Sequence, residues 1–186
     1  MPNMNTADLR IVPLDDRSID LLPLPCAACV YWEDPKEFAT HPAQDRGSTL
    51  KREWIRERLQ AAGKGYGGFV ALLAGVPVGF CQFSTEPFFP RVSDYESGPP
   101  SPDSLFVACL YVLPGAERRG IGRELLNFIE DEADSRGLQA VETLARDGSA
   151  DNPSGPAEFW RRAGYQVVRE KGGYALMRKD AARKSR

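Results

Sequence analysis

The chain has 186 residues, 42% hydrophobic and 27% charged, with a formal net charge of −2. That balance gives no general electrostatic grip on nucleic acid or anionic lipid, and the length allows a buried core without disulfide staples. No apolar stretch approaches membrane-spanning length and MPNMNTADLR holds no signal core, so a cytoplasmic location is expected, with neither nucleic acid nor membrane as partner.

In chain order, residues 9–14 read as a first strand closed by Asp15 and Asp16. LLPLPCAACVYWEDP follows as a packed loop or short helix, punctuated by proline. Over residues 48–62, Leu50, Trp54, Ile55 and Leu59 recur at helical spacing, and Gly63 ends the run. GGFVALLAGVPVGFCQFS reads as two strands around a turn at Gly75. Residues 85–103, rich in Pro, Ser and acids, form a long loop or insertion. SLFVACLYVLP is the most apolar strand. A glycine turn and a helix to about Arg136 follow it, with Ile121, Leu125, Leu126, Phe128, Ile129 and Ala133 on the buried face and Glu124, Glu130, Asp131 and Asp134 on the wet one. A strand from Leu138, a short helix in PAEFWRRAGY and a strand pair in QVVRE and GYALMRK complete the chain before a short basic tail. Strands and helices in this order indicate a mixed α/β (α+β) sheet.

The turn GAERRGIGRELLNFIE carries the first chemical signal. Unpaired N–H groups at a helix start bear partial positive charge, and glycine lets an anion approach the backbone closely. Arg118, Arg119 and Arg123 add formal charge beside Gly120 and Gly122. A nucleotide P-loop is excluded, because Arg123 and Glu124 stand where Lys and Ser/Thr are needed. A dinucleotide fingerprint fails at Leu125. On spacing alone, an anion site and an ordinary helix start both remain open.

LYVLPGAERRGIGRELLNFIEDEADSRG resembles the acetyl-CoA-binding core of the Gcn5-related N-acetyltransferase (GNAT) superfamily: a strand, a Gln/Arg-x-x-Gly-x-Gly/Ala turn and a helix. FWRRAGYQVV resembles the superfamily's second signature, a short helix ending in Gly and an aromatic before a strand. PCAACVYWEDP is similar to the start of a bacterial subgroup with an N-terminal Cys-x-x-Cys. The resemblance implies a single domain over residues 1–186: a variable acceptor-side region at 1–65, a cofactor-binding core at 66–180 and an insertion loop at 85–103. It implies a mostly antiparallel sheet with splayed central strands, and acetyl-CoA as co-substrate. Backbone groups of Leu110, Tyr111 and Val112 would pair with the pantetheine arm and the thioester carbonyl. Arg118, Arg119, Gly120, Ile121, Gly122 and Arg123 would cradle the pyrophosphate. Glu117 stands where the family has Gln or Arg, and a carboxylate there is expected to point outward.

The implied reaction is acetyl transfer to a small-molecule or peptide amine. It needs a base for the amine, a polarised carbonyl and a proton for the leaving thiolate. The place of the family's usual proton-donating tyrosine falls on Trp160, which is expected to pack against the cofactor arm or the core. Glu33 and Glu142 are the candidate bases. Cys109 lies among apolar residues and reads as inert rather than acyl-carrying. A second function, a CoA-binding regulatory or interaction module with weak catalysis, fits the same signatures. A third reading makes Cys26-x-x-Cys29 half a zinc site or a redox pair; with His41 the only histidine, two reduced thiols and no metal are expected. Homodimers are common among relatives, which adds a second copy of the chain to the expected partners.

Overall fold

Seven strands form one sheet in the order β1-β2-β3-β4-β5-β7-β6 in a computed structural model that describes residues 8–40, 45–61, 65–85, 87–148 and 153–181. The strands are β1 (Leu9–Pro13), β2 (Tyr66–Leu73), β3 (Val76–Ser84), β4 (Ser104–Val112), β5 (Ala140–Ala145), β6 (Gln166–Lys171) and β7 (Tyr174–Asp180). The helices are α1 (Pro35–Thr40), α2 (Asp45–Ala61), α3 (Ile121–Ser135) and α4 (Ala157–Arg162), with short 3-10 turns at Ile19–Leu21, Cys26–Ala28 and Pro90–Asp94. Only β4 and β5 pair in parallel; the other neighbours are antiparallel. The mixed sheet expected from the element order is therefore present. His41, Gly63 and the end of the basic tail lie outside the described residues.

Apolar cores cover both faces of the sheet. On one face Leu105, Val107 and Leu110 pack with Ile121, Leu125, Leu126 and Ile129 of α3 and with Trp160 of α4. On the other, Phe80, Phe106 and Ala108 pack with Trp32, Ile55 and Phe89. Coverage on both sides explains why β2 is buried at every position and reads as a continuous apolar run rather than an alternating one. The β2–β3 turn holds Ala74 at φ 50° and Gly75 at φ 81°, the positive-φ pair of a tight two-residue hairpin. Of the predicted buried face of α3, only Phe128 is exposed, and its ring still meets Phe69 edge-on at 5.5 Å.

Residues 87–103 form a loop around the Pro90–Asp94 turn, and a packed one. Phe89 lies 3% exposed among Trp54, Tyr66 and Phe106, and Ser97 is fully buried. On the same side, Gly47 of α2 rests on the Cys26–Ala28 turn; a Cβ there would stand 2.3 Å from the Ala28 carbonyl oxygen, so only glycine permits the approach.

One irregularity positions the site. Gln82 pairs with Cys109, but Phe83 pairs with Val107, which leaves Ala108 as a bulge in β4. The extra residue reverses the alternation of the strand. Leu105 and Val107 face α3 before it, Leu110 and Val112 face α3 after it, and Cys109 and Tyr111 are turned to the opposite face. The parallel ladder with β5 also ends here, at Val107 opposite Thr143, where Thr143 Oγ1 donates to the Val107 carbonyl at 2.8 Å. Beyond this point β4 and β5 part.

Candidate active site

Past Val107 the backbone of β4 makes no further ladder with β5. The Leu113 N–H donates to Val78 O on the β3 side, so by strand alternation the polar groups of Val112 and Leu110 point into the gap. The Leu110 N–H is met by Pro153 O at 3.0 Å, from the loop after β5. Of the backbone groups of Leu110, Tyr111 and Val112 that the sequence assigns to a ligand, the Leu110 amide is thus already paired. Val112 keeps an amide directed at the gap.

The turn into α3 completes a groove of about 630 Å³ on this face. Arg118 at φ 58° and Gly120 at φ 81° hold left-handed conformations, strained for the first and free for the second. Gly120 is the N-cap and has no side chain to satisfy the first amides of α3, so the positive end of the helix is uncapped. Leu110, Tyr111, Val112, Arg118, Gly120, Ile121, Gly122 and Arg123 all line the groove, as the sequence expects. Ala116, Gly155, Pro156 and Phe159 join them. A Cβ on Gly122 would stand 3.5 Å from Phe159, 3.6 Å from Val112 and 3.7 Å from Leu110, so any larger side chain there enters the groove. Uncapped amides, two arginines and a strand edge suit a ligand with a diphosphate followed by an amide-bearing arm. Glu117 lines the groove too and is exposed, so its carboxylate shares the space with Arg118 and Arg123 rather than turning wholly away.

Trp160 and Arg119 are not in the groove wall. Trp160 is fully buried, donates its indole N–H to Ser154 O at 2.7 Å and meets Tyr165 edge-on at 4.8 Å. The six-residue α4 presents Phe159 to the groove instead, one position earlier. Trp160→Phe is expected to cost about 1–3 kcal/mol in denaturant unfolding through the lost indole hydrogen bond to the Ser154 carbonyl, while ligand affinity in the groove stays within about threefold, too small a change for a lost direct contact.

A second hollow of about 530 Å³ lies on the opposite face, and Tyr111 lines both. Its floor is a buried polar chain. Lys51 Nζ donates to Glu33 Oε1 in a close ion pair and to Gln82 Oε1 at 3.2 Å, Gln82 Nε2 donates to Glu33 Oε1 at 2.6 Å, and Tyr66 Oη donates to Gln82 Oε1 at 3.2 Å. The side chains of Lys51 and Glu33 are 3% and 1% exposed. Glu33 Oε2 is buried with no hydrogen-bond partner, and so is the indole N–H of Trp32 in the same wall. Burial pulls the Lys51 ammonium toward neutrality, but Glu33, Cys29 and Cys109 facing it prevail and hold its pKa above the ordinary value. Gly47 and the Lys51–Ile55 spacing show why α2 delivers a lysine here: Lys51 occupies the buried stripe one turn before Ile55. A charged residue on that stripe was the sequence signal for it.

Three thiols, Cys26, Cys29 and Cys109, line this hollow. Cys109 is hydrogen-bonded to Cys26, which with burial pushes its thiol well above the usual range; burial also raises Cys29. The raised values keep Cys29 and Cys109 protonated at neutral pH and weak as nucleophiles. Among the described residues no group of three His, Cys, Asp or Glu is placed to hold a metal. Desolvation, with Cys26, Glu117 and Cys109 nearby, likewise raises Tyr111 and keeps its hydroxyl protonated at the junction of the two hollows.

The structure separates the two predicted carboxylates. Glu33 is in the hollow; Glu142 is in neither lining. Glu142 is fully buried on β5 and accepts from Ser101 N at 2.7 Å, Ser101 Oγ at 2.9 Å, Ser104 Oγ at 3.1 Å and an Arg178 guanidinium N–H at 3.0 Å. It pins the 85–103 loop to the sheet. Arg178→Ala is expected to lower stability by about 2 kcal/mol, measured by denaturant unfolding, because the buried carboxylate loses its cation but keeps three neutral donors.

The chain matches the Acetyltransferase (GNAT) family over residues 28–165. No curated protein sequence matches it. Among solved structures, it is similar to the PaiA N-acetyltransferase of Thermoplasma acidophilum in complex with coenzyme A, at 17% identity and TM-score 0.64, covering 92% of this chain and 98% of that one. It is similar to YncA of Salmonella typhimurium, solved with acetyl-CoA, at 19% identity and TM-score 0.58, covering 96% and 97%. It also resembles aminoglycoside 6'-acetyltransferase type Ii at 18% identity and TM-score 0.60, covering 95% and 99%. At such identities these likenesses establish the fold alone.

Proposed function

The chain belongs to the Acetyltransferase (GNAT) family, and from that premise we propose that it moves an acetyl group from acetyl-CoA to an amine seated in the Glu33 hollow. The observation that carries this reading is the junction itself: two hollows on opposite faces of the sheet share Tyr111, where β4 and β5 part. Acetyl-CoA supplies an activated acyl group as a thioester. The α3 amides from Gly120 onward, with Arg118 and Arg123, would hold its diphosphate, and the Val112 backbone would pair with its amide arm.

The protein's own groups then manage protons. Glu33 Oε2 accepts the acceptor's N–H and takes its proton. Lys51 and Gln82 fix the other oxygen of that carboxylate, so the base has one orientation. Tyr111 Oη holds a proton at the junction and serves the leaving sulfur, the role that Trp160 cannot fill. Tyr111→Phe is expected to lower kcat by about 100-fold with acetyl-CoA affinity unchanged, by steady-state kinetics and titration calorimetry. Release of CoA thiol in the presence of an amine panel tests the reading. Acetyl-CoA binding with no turnover on any amine would favour the CoA-binding regulatory module instead.

A further inference from the structure

One group in the α3 groove opposes the ligand that its neighbours suit. Glu117 lines the groove with Arg118, Gly120 and Arg123, and it is exposed. The turn holds it there from both sides. Ala116 before it is buried in the core, and its N–H donates to Leu113 O at 3.0 Å. Arg118 after it takes the left-handed conformation at φ 58°. The Glu117 charge is felt as far as Tyr111, where it adds to desolvation and Cys26 in raising the hydroxyl. A carboxylate thus borders the space between the helix amides and the junction.

A diphosphate carries about two negative charges at neutral pH, and a carboxylate within a few ångströms repels it. Only the sign of this one charge enters; removing it strengthens anion binding whatever else surrounds the groove. Acetyl-CoA and CoA carry the same diphosphate, so the repulsion weakens substrate and product by the same factor. Its range decides which rate it changes. At an exposed site the field is screened within about 8–10 Å, so the repulsion acts on the bound complex and hardly at all on the approach. It raises the dissociation rate more than it lowers the association rate. We propose that Glu117 is a release residue: it weakens the groove's hold on the diphosphate and speeds the departure of CoA after transfer.

This role rests on the acetyl-CoA reading of the groove. Arg118, Arg123 and the α3 amides capture the donor, and Glu117 keeps the complex from outlasting the reaction. It forms no bond to the ligand, and no proton or electron moves through it. Loss of its charge leaves the fold alone, because the side chain belongs to an exposed residue.

The test compares wild type with Glu117→Gln, with EDTA or with magnesium ions present. Titration calorimetry reads acetyl-CoA, CoA and S-acetylpantetheine, which lacks phosphate; surface plasmon resonance reads the rates for CoA. In about 20 mM salt with EDTA, the variant is expected to bind acetyl-CoA and CoA about fivefold to tenfold more tightly. The gain should shrink below about twofold at about 1 M salt, where the screening length is about 3 Å. CoA dissociation should slow by about threefold or more, with association changed by less than that. S-acetylpantetheine should bind both proteins with affinities within about twofold. The melting temperatures should agree within about 1 °C. Unchanged or weaker CoA binding in the variant overturns the proposal. So does a gain that survives about 1 M salt, extends equally to S-acetylpantetheine or falls wholly on association. Magnesium ions that tighten CoA on wild type but not on the variant overturn it too, because Glu117 then reaches the diphosphate through a cation. Failure of acetyl-CoA and CoA to bind wild type at all would instead remove the transferase reading, and this role with it.

Discussion

Gly122→Trp is expected to abolish acetyl-CoA binding, with affinity falling by about 100-fold or more in isothermal titration, a loss near 2.7 kcal/mol. The chain itself is expected to stay folded. Gly122 lies in the first turn of α3 with ordinary helical backbone, and a Cβ there meets Phe159, Val112 and Leu110 at 3.5–3.7 Å, normal contact distances. Replacing a helical glycine also favours the helix by up to about 1 kcal/mol. The melting temperature should therefore hold or rise while the ligand is lost. A side chain of indole size fills space that the native groove keeps open between α3, β4 and α4. Gly120 is the poorer probe, because any side chain at φ 81° strains the backbone and mixes folding with binding.

Glu33→Gln is expected to have the second large effect, a fall in kcat of about 100-fold to 10,000-fold with acetyl-CoA affinity unchanged. It also leaves Lys51 buried without a counter-charge, which costs about 3–5 kcal/mol. The double variant Glu33→Gln with Lys51→Met removes both charges, so it should recover most of that stability in denaturant unfolding and remain inactive. The split separates the chemical role of Glu33 from its structural one. The pair also leaves a pH signature. The Lys51 pKa is raised in the folded state, so its contribution to stability is fully present below the ordinary lysine value of 10.5 and is lost as pH climbs through the folded value. Wild type should lose stability on that alkaline side more steeply than the double variant does.

Much of the scaffold was legible from local pattern. The apolar runs became β2 to β5, Gly75 marked the hairpin turn, and the Ile121–Ala133 stripe faces the sheet. The groove residues from Leu110 to Arg123 were legible because that site is built from one contiguous strand, turn and helix. The Glu33 hollow was not, because it is assembled from the Cys26–Ala28 turn and the segment after it, α1, α2, β3, β4 and β7, far apart in sequence. The Ala108 bulge decides which face Cys109 and Tyr111 take, and a bulge leaves no mark on apolar alternation when both faces are buried. Trp160 and Phe159 were exchanged for a related reason. A short helix with aromatics at adjacent positions gives no periodicity to say which one faces the groove, and the Ser154 carbonyl that captures the indole lies in the preceding loop. Glu142 and Glu33 look alike as strand or loop carboxylates. Arg178, thirty-six positions away from the first, and Lys51, eighteen from the second, give them different work.

A crystal structure of the chain with acetyl-CoA tests the account most directly. The account predicts the diphosphate against the backbone N–H groups of residues 118–123, the thioester beside Tyr111, and Glu33 as the nearest carboxylate to the acetyl carbon on the acceptor side. A ligand bound away from the α3 groove, or a thioester whose nearest carboxylate is Glu142, would contradict it.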